Sequence, residues 1–135
     1  MNKRTNSPFE TKRLPIVPDA VAPDGTDVRV LLKLSGGSVA HFELQPGKTT
    51  IAVAHRSVEE IWYIVSGLGE MWRRQGGQEE TVLLEKDVCV TIPLGTSFQV
   101  RSLGSVPLRA VAVTMPPWPG DDEAITVAGE WQSET

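Results

Sequence analysis

The chain has 135 residues, of which 40% are hydrophobic and 22% are charged, and its formal net charge is −4. These values are typical of one globular domain, and the lack of a basic excess argues against a nucleic-acid partner. No apolar run approaches the roughly 18 residues that a membrane span needs, and residues 1–13 lack the apolar centre of a secretory signal. We therefore predict a cytoplasmic protein with no nucleic-acid or membrane partner.

The first part of the chain is rich in proline. Residues 1–27 contain Pro8, Pro15, Pro18 and Pro23 in a polar context. Proline fixes one backbone dihedral and removes a hydrogen-bond donor, so this composition disfavours a regular element. We expect an extended arm that lies on the following domain or on a partner subunit.

From residue 28 onward the chain consists of short runs rich in β-branched and aromatic residues, which is typical of strands. The runs cover residues 28–34, 38–44, 50–55, 60–66, 69–74, 80–85, 88–92, 97–101 and 108–115. Glycine and proline residues fall between them at the spacing of turns, and no amphipathic helix of ten or more residues is evident. The pattern predicts an all-β fold, an antiparallel jelly-roll barrel over residues 28–115.

Alternation along the runs indicates which side chains face the interior. In residues 38–44, Ala40 and Phe42 share one face, so His41 is predicted to point away from the interior, into an exposed or interface position. The single cysteine, Cys89, lies at the centre of a strand-like run and is predicted to be a buried, inert thiol.

Two stretches of the chain resemble the two motifs of the cupin superfamily. In the first, Gly47, His55, Glu60 and Gly67 stand where the family has a glycine, its first histidine, a glutamate and a closing glycine. Ser57 stands where the second histidine is expected. The resemblance implies a double-stranded β-helix with a pocket at the barrel mouth.

The second motif keeps its turn but not its ligand. Asp87, Pro93 and Gly95 occupy the family's frame, whereas Phe98 replaces the third histidine. A typical cupin binds its metal through three histidines and one glutamate, so the resemblance implies that half of this set is missing. Imidazole is a preferred ligand of first-row divalent ions. We therefore expect no tightly bound metal, the alternative being a weak divalent-ion site at His55 and Glu60.

The resemblance also implies which side chains face the pocket. His55 and Glu60 are the expected catalytic residues, since a histidine and a glutamate form a workable general acid and base pair. The expected ligand-binding residues are Ser57, Trp62, Trp72 and Phe98. The alternative for the polar pair is a buried ion pair that remains from an ancestral metal site.

These features favour a cupin that binds a small organic molecule and uses Glu60 and His55 for metal-independent proton transfer of the isomerase, cyclase or lyase type. One alternative is a divalent-metal-dependent cupin enzyme of the dioxygenase or sugar-isomerase type. Another is a non-catalytic ligand-binding or sensor protein. Small cupins usually pair, so the resemblance also implies a homodimer.

The final segment, residues 116–135, places three prolines around Trp118. Such a segment cannot continue a central strand. Either it places Trp118 over the rim of the barrel, or it packs Trp118 and Trp131 against the outside of a sheet. Both alternatives predict a tail that packs on the barrel.

Overall fold

The structure is a computed structural model that describes residues 7–22 and 24–133. Residues 1–6 and 23 of the predicted arm and residues 134–135 of the predicted tail lie outside the described residues. The strands are β1 (Ala20–Val21), β2 (Asp27–Leu34), β3 (Gly37–Leu44), β4 (Val53–His55), β5 (Glu59–Ser66), β6 (Leu68–Gln75), β7 (Gln78–Glu85), β8 (Cys89–Ile92), β9 (Ser97–Ser102), β10 (Leu108–Met115) and β11 (Ala124–Thr126). A single 3-10 turn, Asp121–Glu123, precedes β11.

The strands form two antiparallel sheets. One has the order β1-β2-β3-β10-β5-β8, and the other has the order β11-β4-β9-β6-β7. Every predicted run contains a strand, and the all-β jelly-roll fold is confirmed. In the described part of the chain, no helix has the length and apolar character needed to cross a membrane.

The hydrophobic core fills the space between the two sheets. Strand β5 shows the pattern, since Glu60, Trp62 and Ile64 are buried while Ile61 and Tyr63 are exposed. This period of two is the strand signature of one buried face. The buried core residues are Leu44, Val53, Trp62, Ile64, Met71, Leu84, Val90, Ile92, Phe98, Val100, Leu108, Ala110 and Ala112.

The described part of the arm runs along the first sheet. The Arg29 guanidinium donates hydrogen bonds to the carbonyl oxygens of Pro15 and Ile16, at 2.8 and 2.9 Å. The Asp19 amide donates to the Val28 carbonyl at 2.8 Å, immediately before β1 pairs with β2. Strand β2 therefore anchors the arm through both its backbone and a side chain.

The outer face of the first sheet holds a charged cluster around the buried Glu43, beside His41. Glu43 accepts hydrogen bonds from Arg29 at 3.1 Å and from Arg109 at 2.7 Å. Burial alone raises the pKa of Glu43, but the hydrogen bonds and charges of both arginines outweigh it and hold the pKa below its ordinary value.

Two predictions about burial are wrong. His41 does point away from the cavity, but it is only 5% exposed, and burial followed by the charge of Arg29 lowers its pKa. Alternation gives the direction of a side chain, and what packs over the outer face then decides its exposure. Cys89 is exposed because it lies on β8, an edge strand, on the face opposite buried Val90.

Candidate functional site

A cavity of about 500 Å³ lies between the sheets at the end where the arm and the tail meet. Its polar and charged lining residues are Glu10, Asp24, Lys33, Ser38, His55, Glu60 and Thr114, and the rest of its wall is aliphatic or aromatic. This size and this lining, apolar with a few polar groups, are those of small-molecule sites in proteins.

His55 reaches the cavity from the end of β4. Val53 pairs with Phe98 of β9, and His55 lies two residues further along the same face. Its ring makes edge contacts with Phe98 and Trp118, at centroid distances of 5.3 and 5.2 Å. The Nδ1 atom of His55 is buried and has no hydrogen-bond partner among the described residues. This nitrogen is therefore buried among aromatic rings, while the His55 side chain as a whole lines the cavity.

Glu60 enters the same cavity from β5 and is only 3% exposed. Its Oε1 accepts a hydrogen bond from Trp62 Nε1 at 2.9 Å, and its Oε2 accepts one from Thr114 Oγ1 at 2.8 Å. Thr114 is the direct cross-strand neighbour of Glu60, which explains why the two side chains meet. Each oxygen keeps a free lone pair, so the carboxylate is held in place and can still accept a further proton donor.

Aromatic rings form the wall beside these polar groups. Trp62 stacks on Phe42 at a centroid distance of 5.2 Å and makes an edge contact with Phe98 at 6.0 Å. Trp62 and Phe98 both line the cavity, as the sequence predicts. Phe98 thus places a phenyl ring where the family has a third histidine.

The prediction that Trp72 lines the pocket is wrong. Trp72 pairs with Gln99 and therefore faces the outer side of its sheet, whereas Met71 beside it joins the core. Its indole donates to Glu79 at 2.9 Å, so Trp72 is buried without reaching the cavity.

Ser57 also lies outside the cavity lining, which corrects its predicted role as a ligand-binding residue. It sits in the bend between β4 and β5, where strand alternation does not set its direction. Its hydroxyl donates to Glu123 Oε1 at 2.7 Å, and the amides of Ser57 and Val58 donate to Glu123 Oε2 at 2.5 and 3.0 Å.

Glu123 therefore joins the tail to the β4–β5 bend. Burial opposes its ionisation, but the hydrogen bonds from Ser57 and Val58 and the charge of His55 outweigh burial and lower the pKa of Glu123. The Arg56 amide strengthens the contact by donating to the Glu123 carbonyl at 2.9 Å. The carboxylate thus holds the tail beside His55.

Trp118 and Trp131 occupy different places. Trp118 lines the cavity, and its amide donates to Ser38 Oγ at 3.0 Å. Trp131 packs outside, where the Arg101 guanidinium lies 4.2 Å from its ring centroid and Gln99 bonds its backbone at 2.7 and 2.9 Å. The tail thus places one tryptophan at the cavity and one on the outer face of the second sheet.

Asp24 is a cavity residue that the sequence reasoning missed. It lies in the turn between β1 and β2 and is 7% exposed, and its Oδ1 accepts bonds from the Thr26 amide at 3.0 Å and the Thr26 hydroxyl at 2.8 Å. Burial raises the pKa of Asp24, and the Thr26 bonds and the charge of His55 oppose this rise. The only sequence signal is the aspartate-turn pattern, which does not say that the turn reaches the cavity.

Comparison with known families agrees with this architecture. A family model described as a cupin domain matches residues 40–114, which is more than half of the chain. The chain belongs to the cupin family. The motif positions His55, Glu60 and Phe98 fall within the matched region, and all three line the cavity of this cupin.

Individual proteins that resemble this chain share 20–30% of its residues over the aligned part. The chain is 30% identical to the xanthan biosynthesis protein XanB of Xanthomonas campestris over 87 residues, which cover 64% of this chain but only 18% of XanB. It is 29% identical to the uncharacterized protein MJ1618 of Methanocaldococcus jannaschii over 110 residues, 78% of this chain and 85% of that protein. The solved structure of a predicted oxalate decarboxylase from Thermotoga maritima superposes with a TM-score of 0.62 at 20% identity, over 77% of this chain and 98% of the other.

The cupin family implies a metal, and the donor set of this chain does not fit one. Of the four family ligand positions, Ser57 is bonded to Glu123 and Phe98 offers a phenyl ring, so only His55 and Glu60 remain. In residues 7–22 and 24–133 no group of three or more His, Cys, Asp or Glu side chains is arranged to hold an ion.

This donor set predicts weak metal binding. For protein purified without chelator, we expect less than about a tenth of an equivalent of transition metal per chain. The loss of residues that merely orient the metal ligands lowers affinity roughly 10- to 100-fold, and the loss of imidazoles that bind the metal directly lowers it by more. Elemental analysis by mass spectrometry measures this directly. About one equivalent of any single metal would contradict the prediction.

The Glu123 clamp predicts a pH-dependent stability difference. Because the folded pKa of Glu123 is lowered, its contribution is complete above the unfolded value of about 4.5 and disappears as the pH falls through the folded pKa. We expect Glu123→Gln to reduce the free energy of unfolding by about 1–2 kcal/mol at pH 7 and by less at pH 3. Urea unfolding at both pH values tests this, with exposed Glu130→Gln as the control. Equal losses at both pH values would contradict the ionic role.

Proposed function

We propose that this cupin binds a small organic molecule in the cavity and transfers a proton on it without a metal, in a reaction of the isomerase, cyclase or lyase type. The observation that carries the proposal is one mostly apolar cavity of about 500 Å³ in which His55 and Glu60 both take part. Few directional groups in an apolar wall favour a ligand with an apolar body and one polar function.

The chemistry of the two residues supports proton transfer. Glu60 is held by Trp62 and Thr114, so its carboxylate is fixed in position toward a bound molecule. The imidazole of His55, which also lines the cavity, provides a second group able to exchange a proton. For a carbonyl ligand, Glu60 takes a proton from the carbon beside the carbonyl while protonated His55 gives one to the oxygen, and the product is the enol.

The names of the two relatives point to different chemistries. XanB is named for xanthan biosynthesis, and the Thermotoga protein is named as a predicted oxalate decarboxylase. The chain spans only 18% of XanB, and the Thermotoga structure shares 20% identity, so both likenesses support the fold and leave the substrate open. The proposal therefore rests on the cavity of this chain.

A non-catalytic ligand-binding or sensor protein is the second candidate. It is favoured by the two hydrogen bonds of Glu60, which also suit a purely structural carboxylate that orients Trp62 and ties β5 to β10. The two candidates differ in one measurable respect. Both predict binding, and only the first predicts that protons on the bound molecule exchange.

Proton exchange on acetophenone tests the catalytic role. We expect the protein to accelerate deuterium incorporation at the methyl group in D₂O, and Glu60→Gln to lower that acceleration by about 100-fold or more, because general-base catalysis contributes about 10²- to 10⁴-fold. Proton NMR follows the loss of the methyl signal.

Glu59→Gln is the matched control, since Glu59 is the exposed neighbour on the opposite face of β5. It should exchange acetophenone at the unmodified rate. If Glu60→Gln retains full exchange, Glu60 is not the base. If the unmodified protein binds acetophenone without exchanging its protons, the sensor function replaces the catalytic one.

We also propose that the chain forms a homodimer through its arm. The support is the set of apolar arm side chains in solvent: Phe9 is 101% exposed, Ile16 is 93% exposed and Val17 is 72% exposed. Solvent exposure of several large apolar side chains on one short segment is characteristic of an interaction surface.

The dimer predicts a solution mass of twice the 14.7 kDa of one chain. Replacing Phe9 and Ile16 together by serine should shift the protein toward the monomer, because it removes the apolar area that drives association. Sedimentation velocity at micromolar concentration measures the change. Leu94→Ser, at an exposed loop position, is the control, and a monomeric unmodified protein would disprove the proposal.

A further inference from the structure

Asp24 brings a second buried carboxyl group into the cavity. It comes from the turn before β2, whereas Glu60 comes from the start of β5, so the two acids are supplied by separate parts of the fold. The Ile51 amide donates to the Asp24 carbonyl at 2.9 Å, which fixes the backbone of the turn against the second half of the barrel. This bond ties the turn that carries Asp24 to the segment before β4.

The hydrogen bonds to the Asp24 carboxyl group involve only one of its two oxygens. Between described residues, both bonds that reach its side chain end on Oδ1, and both come from Thr26. The two Thr26 donors fit either form of the carboxyl group, and they leave Oδ2 without a donor among the described residues and so able to carry a proton. The raised pKa of Asp24, caused first by burial, agrees with this neutral form. A neutral Oδ2–H group on a residue that lines the cavity can donate a hydrogen bond to a bound molecule.

The two acids therefore have complementary hydrogen-bonding roles. Glu60 accepts bonds from Trp62 and Thr114 on its two different oxygens, an arrangement that suits the charged form. Asp24 has both donors on one oxygen and none from the described residues on the other, which leaves room for a proton on Oδ2. Environments that separate two carboxyl groups in this way assign one as the acid and the other as the base.

We propose that Asp24 is a ligand-binding residue of this cavity and that its carboxyl group donates a hydrogen bond to the carbonyl oxygen of a neutral ligand. The apolar body of that ligand lies against Trp62 and Phe98. This inference rests on the proposed small-molecule function and deepens it, because it names the substrate class as neutral ketones and related carbonyl compounds. Asp24 joins His55 at the oxygen end of the ligand, and Glu60 faces the carbon end.

Charge excludes the competing class, organic anions. Of the buried titratable residues of the lining, Glu60 carries the negative charge in this proposal, and its hydrogen-bond donors Trp62 and Thr114 are neutral. An anionic ligand brings a further negative charge next to Glu60 in a place where solvent screening is weak. A neutral carbonyl compound accepts the available donor without this cost.

A pair of isosteric probes tests the proposal at pH 7. Acetophenone has a carbonyl group where α-methylstyrene has a methylene group, so the two differ in the ability to accept a hydrogen bond. Quenching of Trp62 and Trp118, which both line the cavity, reports binding of either probe. The unmodified protein should bind acetophenone more tightly, by about 5-fold, which is the typical effect of one hydrogen bond.

Substitutions assign the preference to Asp24. Asp24→Ala should remove the preference for acetophenone and leave α-methylstyrene binding unchanged. Asp24→Asn keeps a donor of similar shape and should keep the preference within about 2-fold. The control is Asp19→Asn, which alters an exposed arm aspartate that accepts a bond from the Val30 amide and does not line the cavity.

Each outcome decides the proposal. If Asp24→Ala weakens both probes equally, or Asp24→Asn behaves as Asp24→Ala, the donor role is wrong. If the unmodified protein binds both probes equally, the carbonyl class is wrong while the proposed binding function stands. If neither probe binds, the carbonyl class and the proposed binding function are both wrong. Should Asp24→Ala fail to fold, the infrared carbonyl band of acetophenone bound to the unmodified protein decides: a shift to lower frequency supports the hydrogen bond, and an unshifted band overturns it.

Discussion

The strict alternation of side chains across paired antiparallel strands determines which residues of this cupin meet. Thr114 lies opposite Glu60 and Ala112 lies opposite Trp62, so these side chains share the inner face of the first sheet. The pairing of Val53 with Phe98 does the same for the second sheet. A slip of β5 by one residue would turn the whole inner set toward solvent and bring its neighbours inward. The polar groups of the cavity therefore depend on the strand register more than on any single contact.

The same register decides how the buried polar groups are paired. Glu60 receives its two donors from its own strand and from the adjacent one, so the sheet itself satisfies this carboxylate. Asp24 has only the donors of its own turn, and His55 Nδ1 has no partner among the described residues. Burial of a polar group without a partner is costly, and a bound molecule, an ion or a water can supply the missing partner of a group that lines a cavity. This contrast in pairing supports a binding function for the end of the cavity that holds Asp24 and His55.

The strands, the turns and several lining residues of the cavity could be predicted from the sequence. The strands were predictable because alternation and glycine punctuation are local signals, and His55, Glu60, Trp62 and Phe98 were placed by the motif frame. The position of Trp72 was not predictable in this way. Its neighbour Met71 is also buried, so alternation along β6 does not show which of the two side chains faces the interior. Other residues were placed wrongly or not recognised because their positions depend on contacts between segments far apart in the chain.

Ser57 is one of these residues, since its direction is set by Glu123, 66 residues away. The cavity position of Asp24 depends on how the turn between β1 and β2 packs against Ile51, and the burial of His41 depends on what covers the outer face of the first sheet. None of these contacts is accompanied by a repeating sequence pattern from which it could be predicted. Local patterns identified the elements of this barrel, and long-range packing decided which polar groups those elements bring together.

The segments outside the family match also shape the cavity. The cupin model covers residues 40–114, whereas Asp24, Trp118 and Ala124 line the cavity from outside that region. The barrel supplies the walls and Glu60, the arm supplies a second acid, and the tail supplies a tryptophan against His55. A relative that shares only the matched barrel shares only part of this lining. Ligand chemistry in this cupin therefore depends on its two terminal extensions as much as on the barrel, which is why the fold alone does not identify the substrate.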